Sequence, residues 1–200
     1  MGIVDALLDV KKKKIDLFCA ERLNNGTSAY DIIDELTGGL REIGKGYKEI
    51  YFDAELMVAG WNAKKALDIL KPLLQGEVQH KIGKVVLGTV KGDVHDIGKD
   101  IVNIMLSSEG FEVIDLGTDV SKEDFADAVR EAEADILAMS ALLTTTRDYM
   151  AEVITYLGKD RAVKVMVGGG AVTSEYAAEI GADCYGKDAI DAVSKAKELV

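Results

Sequence analysis

The chain reads as an α/β protein in two parts, a helical bundle over residues 1–80 followed by a doubly wound, mainly parallel sheet of flavodoxin-like or Rossmann-like type over residues 81–200. Three features predict it. Apolar residues recur at three- and four-residue steps as far as Leu74; beyond Lys81 short β-branched runs alternate with amphipathic stretches; and those runs are mainly apolar, as strands covered on both faces require.

Taken in order, Ile3, Leu7 and Val10 mark a first helical face, Leu17 and Ala20 a second, and Ile32, Ile33 and Leu36 a third. Leu56, Ala59, Ala63, Leu67 and Leu70 mark a fourth. Asn24 to Ser28 supplies a stop and then a cap, Gly38 and Gly39 are expected to interrupt the third segment, and Pro72 sits near the end of the fourth. Gln75 to Gly83 lacks periodicity and reads as a linker, with His80 a solvent-facing member of it. Then KVVLGTV, FEVIDLG, DILAMSAL and VKVMVGGG read as strands, with helical stretches after each of the first three and a last one from Ala189. In such a sheet a ligand lies beyond the carboxyl ends of the strands, where strand order reverses. GDVHDIG, SALLTTT and GGG stand at predicted strand ends and are expected to converge there.

Composition narrows the function classes. A chain of 200 residues with 48% hydrophobic and 30% charged residues can build a globular core. Its net charge of −11 disfavours sequence-blind binding to nucleic acid or to an anionic membrane. No apolar run reaches the length of a membrane span, and the lysines of MGIVDALLDVKKKK follow the apolar stretch rather than precede it, so the expected location is cytoplasmic. Cys19 and Cys184 show no pairing or metal spacing.

His95 lies between Asp93 and Asp96 in the first of the three turns. Protein-built zinc or iron sites want more imidazole or thiolate than this chain offers, so a metal at His95 would have to bring its other ligands in a macrocycle. Asp93 is placed to take the second ring nitrogen. The residues alone leave this open against a plain loop histidine with capping aspartates. Gly98, Gly168, Gly169 and Gly170 remove side chains where a bulky ligand could approach backbone, while nucleotide fingerprints are absent. Ser140, Thr144, Thr145 and Thr146 offer more hydroxyls than one helix cap needs.

GDVHDIG (Gly92, Asp93, Val94, His95, Asp96, Ile97, Gly98), SAL (Ser140 to Leu142) and GG (Gly168, Gly169) resemble the DxHxxG, SxL and GG signature of the cobalamin-binding domain of methionine synthase, carbon-skeleton mutases and small corrinoid proteins of anaerobic methyltransferase systems. Tyr51 to Leu74 resembles the helical cap of the same proteins, and the likeness spans nearly the whole chain. It implies a corrinoid methyl carrier that holds cobalamin with its nucleotide base displaced and His95 as the lower axial ligand of cobalt. It further implies a relay from His95 through Asp93 to Thr146, a buried cofactor tail beside Gly168 and Gly169 and near Ser140 and Thr144, and further cofactor contacts at Leu142, Gly170 and Ala189. Phe52, Met57 and Trp61 would cover the upper face, the linker would act as the hinge, and Asp53 stands where relatives usually carry an apolar residue. The implied partners are a substrate-specific methyltransferase, an acceptor methyltransferase using tetrahydrofolate or a thiol coenzyme, and a reductive activase. Two other classes compete. A cobalamin-dependent sensor would want a DNA-binding segment, and a phosphotransfer receiver would want an aspartate where Ser140 and Ala141 stand.

Overall fold

The computed structural model describes residues 1–74 and 82–200. The expected hinge lies outside the described residues except for Ile82 and Gly83, and so does His80. The chain divides into two units, Met1–Gly76 and Glu77–Val200.

The first unit holds α1 (Ile3–Leu7), α2 (Lys14–Asn24), α3 (Ala29–Lys45) and α4 (Asp53–Leu74). Ser28 caps α3, its hydroxyl accepting the Asp31 N–H at 3.1 Å. Ile32, Ile33, Leu36 and Ile43 then bury one stripe of that helix, and Leu7, Ile15, Phe18, Ala63, Leu67 and Leu70 are buried in the same unit. Asn62 of α4 is fully buried and donates to the Leu7 and Asp9 carbonyls at 2.7 and 3.0 Å, tying the end of α1 to α4.

Two expectations fail here. Gly38 and Gly39 do not interrupt α3, which runs through them. Helix-interior glycine costs about 1 kcal/mol against alanine, but a Cβ on Gly39 would stand 2.8 Å from the Leu7 side chain, so its absence lets α1 approach. Val10 and Leu17 are exposed rather than core residues. Helix α1 stops at Leu7, leaving Val10 in a loop, and α2 turns Ile15, Phe18 and Cys19 inward instead.

The second unit alternates β1 (Gly83–Thr89), α5 (Ile97–Ser108), β2 (Phe111–Asp115), α6 (Lys122–Ala132), β3 (Ile136–Ser140), α7 (Thr144–Arg147) and α8 (Tyr149–Leu157). It continues with β4 (Lys164–Gly168), α9 (Ser174–Ile180), β5 (Cys184–Gly186) and α10 (Ala189–Leu199). All pairings are parallel and the strand order is β2-β1-β3-β4-β5, the flavodoxin-like doubly wound arrangement. Val85, Val86, Ile136, Leu137, Val165 and Val167 are fully buried in its three central strands. Helix α9 and strand β5 are not legible in the sequence pattern, because seven and three residues are too few to show a period.

Register decides where the three motifs meet. Thr89 pairs with Ser140, Ser140 with Gly168, and Gly168 with Gly186, forming one row across the carboxyl edge of four strands. The strand order reverses between β1 and β3, so the His95 turn and the Ser140 turn leave the sheet side by side at the switch point.

Gly169 is required by the fold itself. Its φ is +111°, and a Cβ there would lie 2.2 Å from the Ala141 carbonyl oxygen. Gly169→Ala is expected to cost about 3 kcal/mol, from a backbone conformation unfavourable to L-residues plus that clash, read from the urea midpoint. Gly98 is the contrast, since a Cβ there meets nothing within 4 Å. Gly98→Ala should leave the midpoint unchanged or raised, while weakening uptake of any ligand that lies against the start of α5; unchanged uptake would show that no ligand approaches there.

Candidate functional site

The turn after β1 is built around a carboxylate. Asp93 is fully buried, and each of its oxygens has its own set of donors. Oδ1 accepts the His95 backbone N–H at 3.0 Å and lies 2.7 Å from His95 Nδ1. Oδ2 accepts the Thr146 hydroxyl at 2.7 Å and the backbone N–H groups of Leu142 and Leu143 at 2.8 and 3.3 Å. Burial alone would push the Asp93 carboxyl up, but the hydrogen bonds from Thr146, from the His95 and Leu142 amides and from the His95 ring outweigh it and hold it at about 2.

That carboxylate settles the imidazole tautomer. An ionised Asp93 can only accept, so Nδ1 carries the proton on the short contact and, in the neutral ring, Nε2 carries the lone pair. The ring is not buried with its partner, since the His95 side chain is 46% exposed. Around it Val94 is 70% exposed, Leu142 47% and Leu143 42%, an apolar rim beyond the strand ends. The backbone of the turn is held as well. Thr89, buried in β1, donates from its hydroxyl to the His95 carbonyl at 3.2 Å.

The structure brings His95, Asp93, Thr146 and the Leu142 amide into one network, with Ser140 in the same edge row as Gly168. The surplus of hydroxyls is not all used there. Among the described residues Thr146 is the hydroxyl that reaches Asp93, and α7 begins from Leu143 without a side-chain cap. Asp96 occupies the cap position of α5 but makes no side-chain cap bond there. Gly168 and Gly170 face the chain itself, toward the Gly186 carbonyl and the Leu142 side chain. Ala189 opens α10 just after β5. Phe52 and Met57 are exposed members of the first unit, and Trp61, one turn after Met57, carries the Lys12 ammonium 4.4 Å above its ring. Asp53 has a local role there, its carboxylate accepting the Tyr47 hydroxyl at 2.6 Å in the first turn of α4.

Sequence reasoning missed Thr89, Leu143 and Asp119. A threonine inside the apolar run KVVLGTV is a signal that could have found the first. For the others nothing local differs from an ordinary turn, and only the fold shows their contacts to the His95 loop.

A family described as a B12 binding domain matches residues 83–194. The chain belongs to the B12-binding family. A second family of the same description matches residues 2–71. Dimethylamine corrinoid protein 3 of Methanosarcina acetivorans is 40% identical over 203 residues, covering 99% of this B12-binding chain and 95% of the relative. The solved monomethylamine corrinoid protein of Methanosarcina barkeri matches with a TM-score of 0.90 at 30% identity, covering 99% of this chain and 96% of that one. The methanol:cobalamin methyltransferase complex MtaBC from Methanosarcina barkeri matches with a TM-score of 0.58 at 29% identity, covering 99% and 78%.

The cofactor of this B12-binding chain is therefore cobalamin, and the residues present fit it. A corrinoid brings its own equatorial nitrogens and asks the protein for one axial donor. Among the described residues no three His, Cys, Asp or Glu side chains cluster to hold a metal, whereas His95 offers one oriented nitrogen. The open space at Gly98 and the exposed Val94, Leu142 and Leu143 suit a large, partly apolar ring. Also among the described residues, no helix is long and apolar enough to cross a membrane.

Proposed function

We propose that this chain is a corrinoid methyl carrier in which His95 Nε2 is the lower axial ligand of cobalt, the cofactor's own nucleotide base being displaced. One observation carries the assignment: Nδ1 is committed to a buried carboxylate on a half-exposed ring, leaving Nε2 as the nitrogen free for a metal. The bound corrinoid supplies a cobalt centre able to accept a methyl group and return it. The protein's part is to orient and to hold a proton. Asp93 fixes the imidazole plane through Nδ1, and Thr146 with the Leu142 and Leu143 amides fixes Asp93. With Nδ1–H held on Asp93 Oδ1, Nε2 is the ring position that would be offered to cobalt.

The names of its relatives support methylated amines as the donor class, delivered through a substrate-specific methyltransferase. The likeness to a methyltransferase complex supports a docked carrier. An acceptor methyltransferase and a reductive activase complete the proposed cycle. Adding hydroxocobalamin to the apo-protein should give a pink complex that survives gel filtration and whose spectrum shows the nucleotide base detached. A complex that retains the base on cobalt overturns the axial assignment. Methyl transfer from mono-, di- or trimethylamine with the cognate methyltransferases, and not from methanol, is expected to identify the donor class.

A further inference from the structure

Asp119 stands in the loop between β2 and α6, and the axial assignment makes no use of it. Its φ is +58°, a left-handed conformation that non-glycine residues adopt rarely and that aspartate and asparagine tolerate better than most. Both of its polar groups reach the His95 loop. Oδ1 accepts the Gly92 N–H at 2.7 Å, and its own N–H donates to the Asp93 carbonyl at 3.1 Å. The loop that carries it is fastened to the end of β1, because Thr89 donates its N–H to the Gly117 carbonyl at 2.9 Å and accepts the Val120 N–H at 3.0 Å.

We propose that Asp119 is a positioning residue for the axial histidine, clamping the main chain on both sides of the Gly92–Asp93 peptide so that His95 meets cobalt at a fixed height. The inference rests on the His95 assignment above and extends it to a residue outside the signature. Asp93 is anchored through its side chain to the Leu142–Thr146 segment, its N–H to the Val90 carbonyl and the His95 carbonyl to Thr89, but these bonds hold neither the Gly92 N–H nor the Asp93 carbonyl, about which the turn can still pivot. Gly92, with φ of +82°, supplies the flexible point for that pivot. Asp119 removes the freedom by holding the amide before the pivot and the carbonyl after it. Axial coordination is sensitive to displacements well under an ångström, so a loosened turn weakens the bond even when the fold is intact.

The test loads wild type, Asp119→Ala and Asp119→Asn with hydroxocobalamin, measures affinity, then reduces each to cobalt(II) and reads nitrogen superhyperfine splitting by electron paramagnetic resonance. Asp119→Ala is expected to bind about tenfold more weakly and to show a reduced share of imidazole-coordinated cobalt. Asp119→Asn, which keeps an acceptor oxygen and tolerates the same φ, is expected to retain both. The proposal is overturned by an alanine variant with an undiminished imidazole share, whatever its affinity, since that describes a merely structural residue. It is equally overturned by an asparagine variant that falls as far as alanine. Should the alanine variant not fold, Asp119→Ser takes its place under the same criteria. The splitting is assigned to imidazole by its change on incorporating 15N-histidine: wild type without histidine-derived splitting removes the axial assignment and this inference together, whereas such splitting in wild type and in the alanine variant alike removes this inference alone.

Discussion

His95→Ala is expected to take up hydroxocobalamin without imidazole on cobalt, and its methyl transfer to fall on the order of a hundredfold. The reason lies in the geometry rather than in overall affinity. The strand ends and the exposed Val94, Leu142 and Leu143 remain in the variant, and the imidazole would add one donor atom to them. What the variant loses is the Nε2 donor that Asp93 orients through Nδ1. The absorption spectrum of the loaded variant should resemble that of cobalamin with only water below the metal. Undiminished methyl transfer with an unchanged spectrum would remove His95 from the cycle. Restoring the spectrum with added imidazole would locate the defect at the missing nitrogen.

Asp93→Asn is expected to be the most damaging substitution for stability in this site, costing roughly 3 kcal/mol. Whichever side the amide nitrogen takes, it faces donors that now lack an acceptor: the His95 amide and ring on one side, the Thr146, Leu142 and Leu143 groups on the other. Buried donors left without partners cost about 1–3 kcal/mol each. The pH dependence gives an independent check. With the folded-state pKa near 2 against an ordinary 3.8, the unfolded chain binds more protons between those values, so stability falls as pH drops through that window. The contribution is fully present above about pH 4 and amounts to roughly 2 kcal/mol. Urea midpoints between pH 5 and pH 2 should show that slope in wild type and a shallower one in Asp93→Asn. Parallel slopes would mean that the carboxylate is not held as the geometry implies.

The two halves of the chain differ in how far local pattern reaches. In the second, apolar runs of five to seven residues bounded by glycine and aspartate mark β1 to β4. In the first, the expected stop at Gly38 and Gly39 is absent, because Leu7 rewards the missing side chain with a close approach. Leu17 shows the same limit, its spacing fitting a helix without saying which face the core will cover.

The sequence by itself determined the alternation of strand and helix, the residue types of the three turns and the chemistry they can offer. Those properties depend on neighbours within a few positions, where periodicity and motif spacing carry information. Only the tertiary structure decided that Asp93 would be fully buried with five donors, that Thr146 rather than Ser140 or Thr144 would reach it, and that Asp119 would close on Gly92 from 27 residues away. These contacts follow from the parallel register that sets Thr89 beside Ser140 and Ser140 beside Gly168. A register is a property of paired strands, so no single stretch of chain contains it.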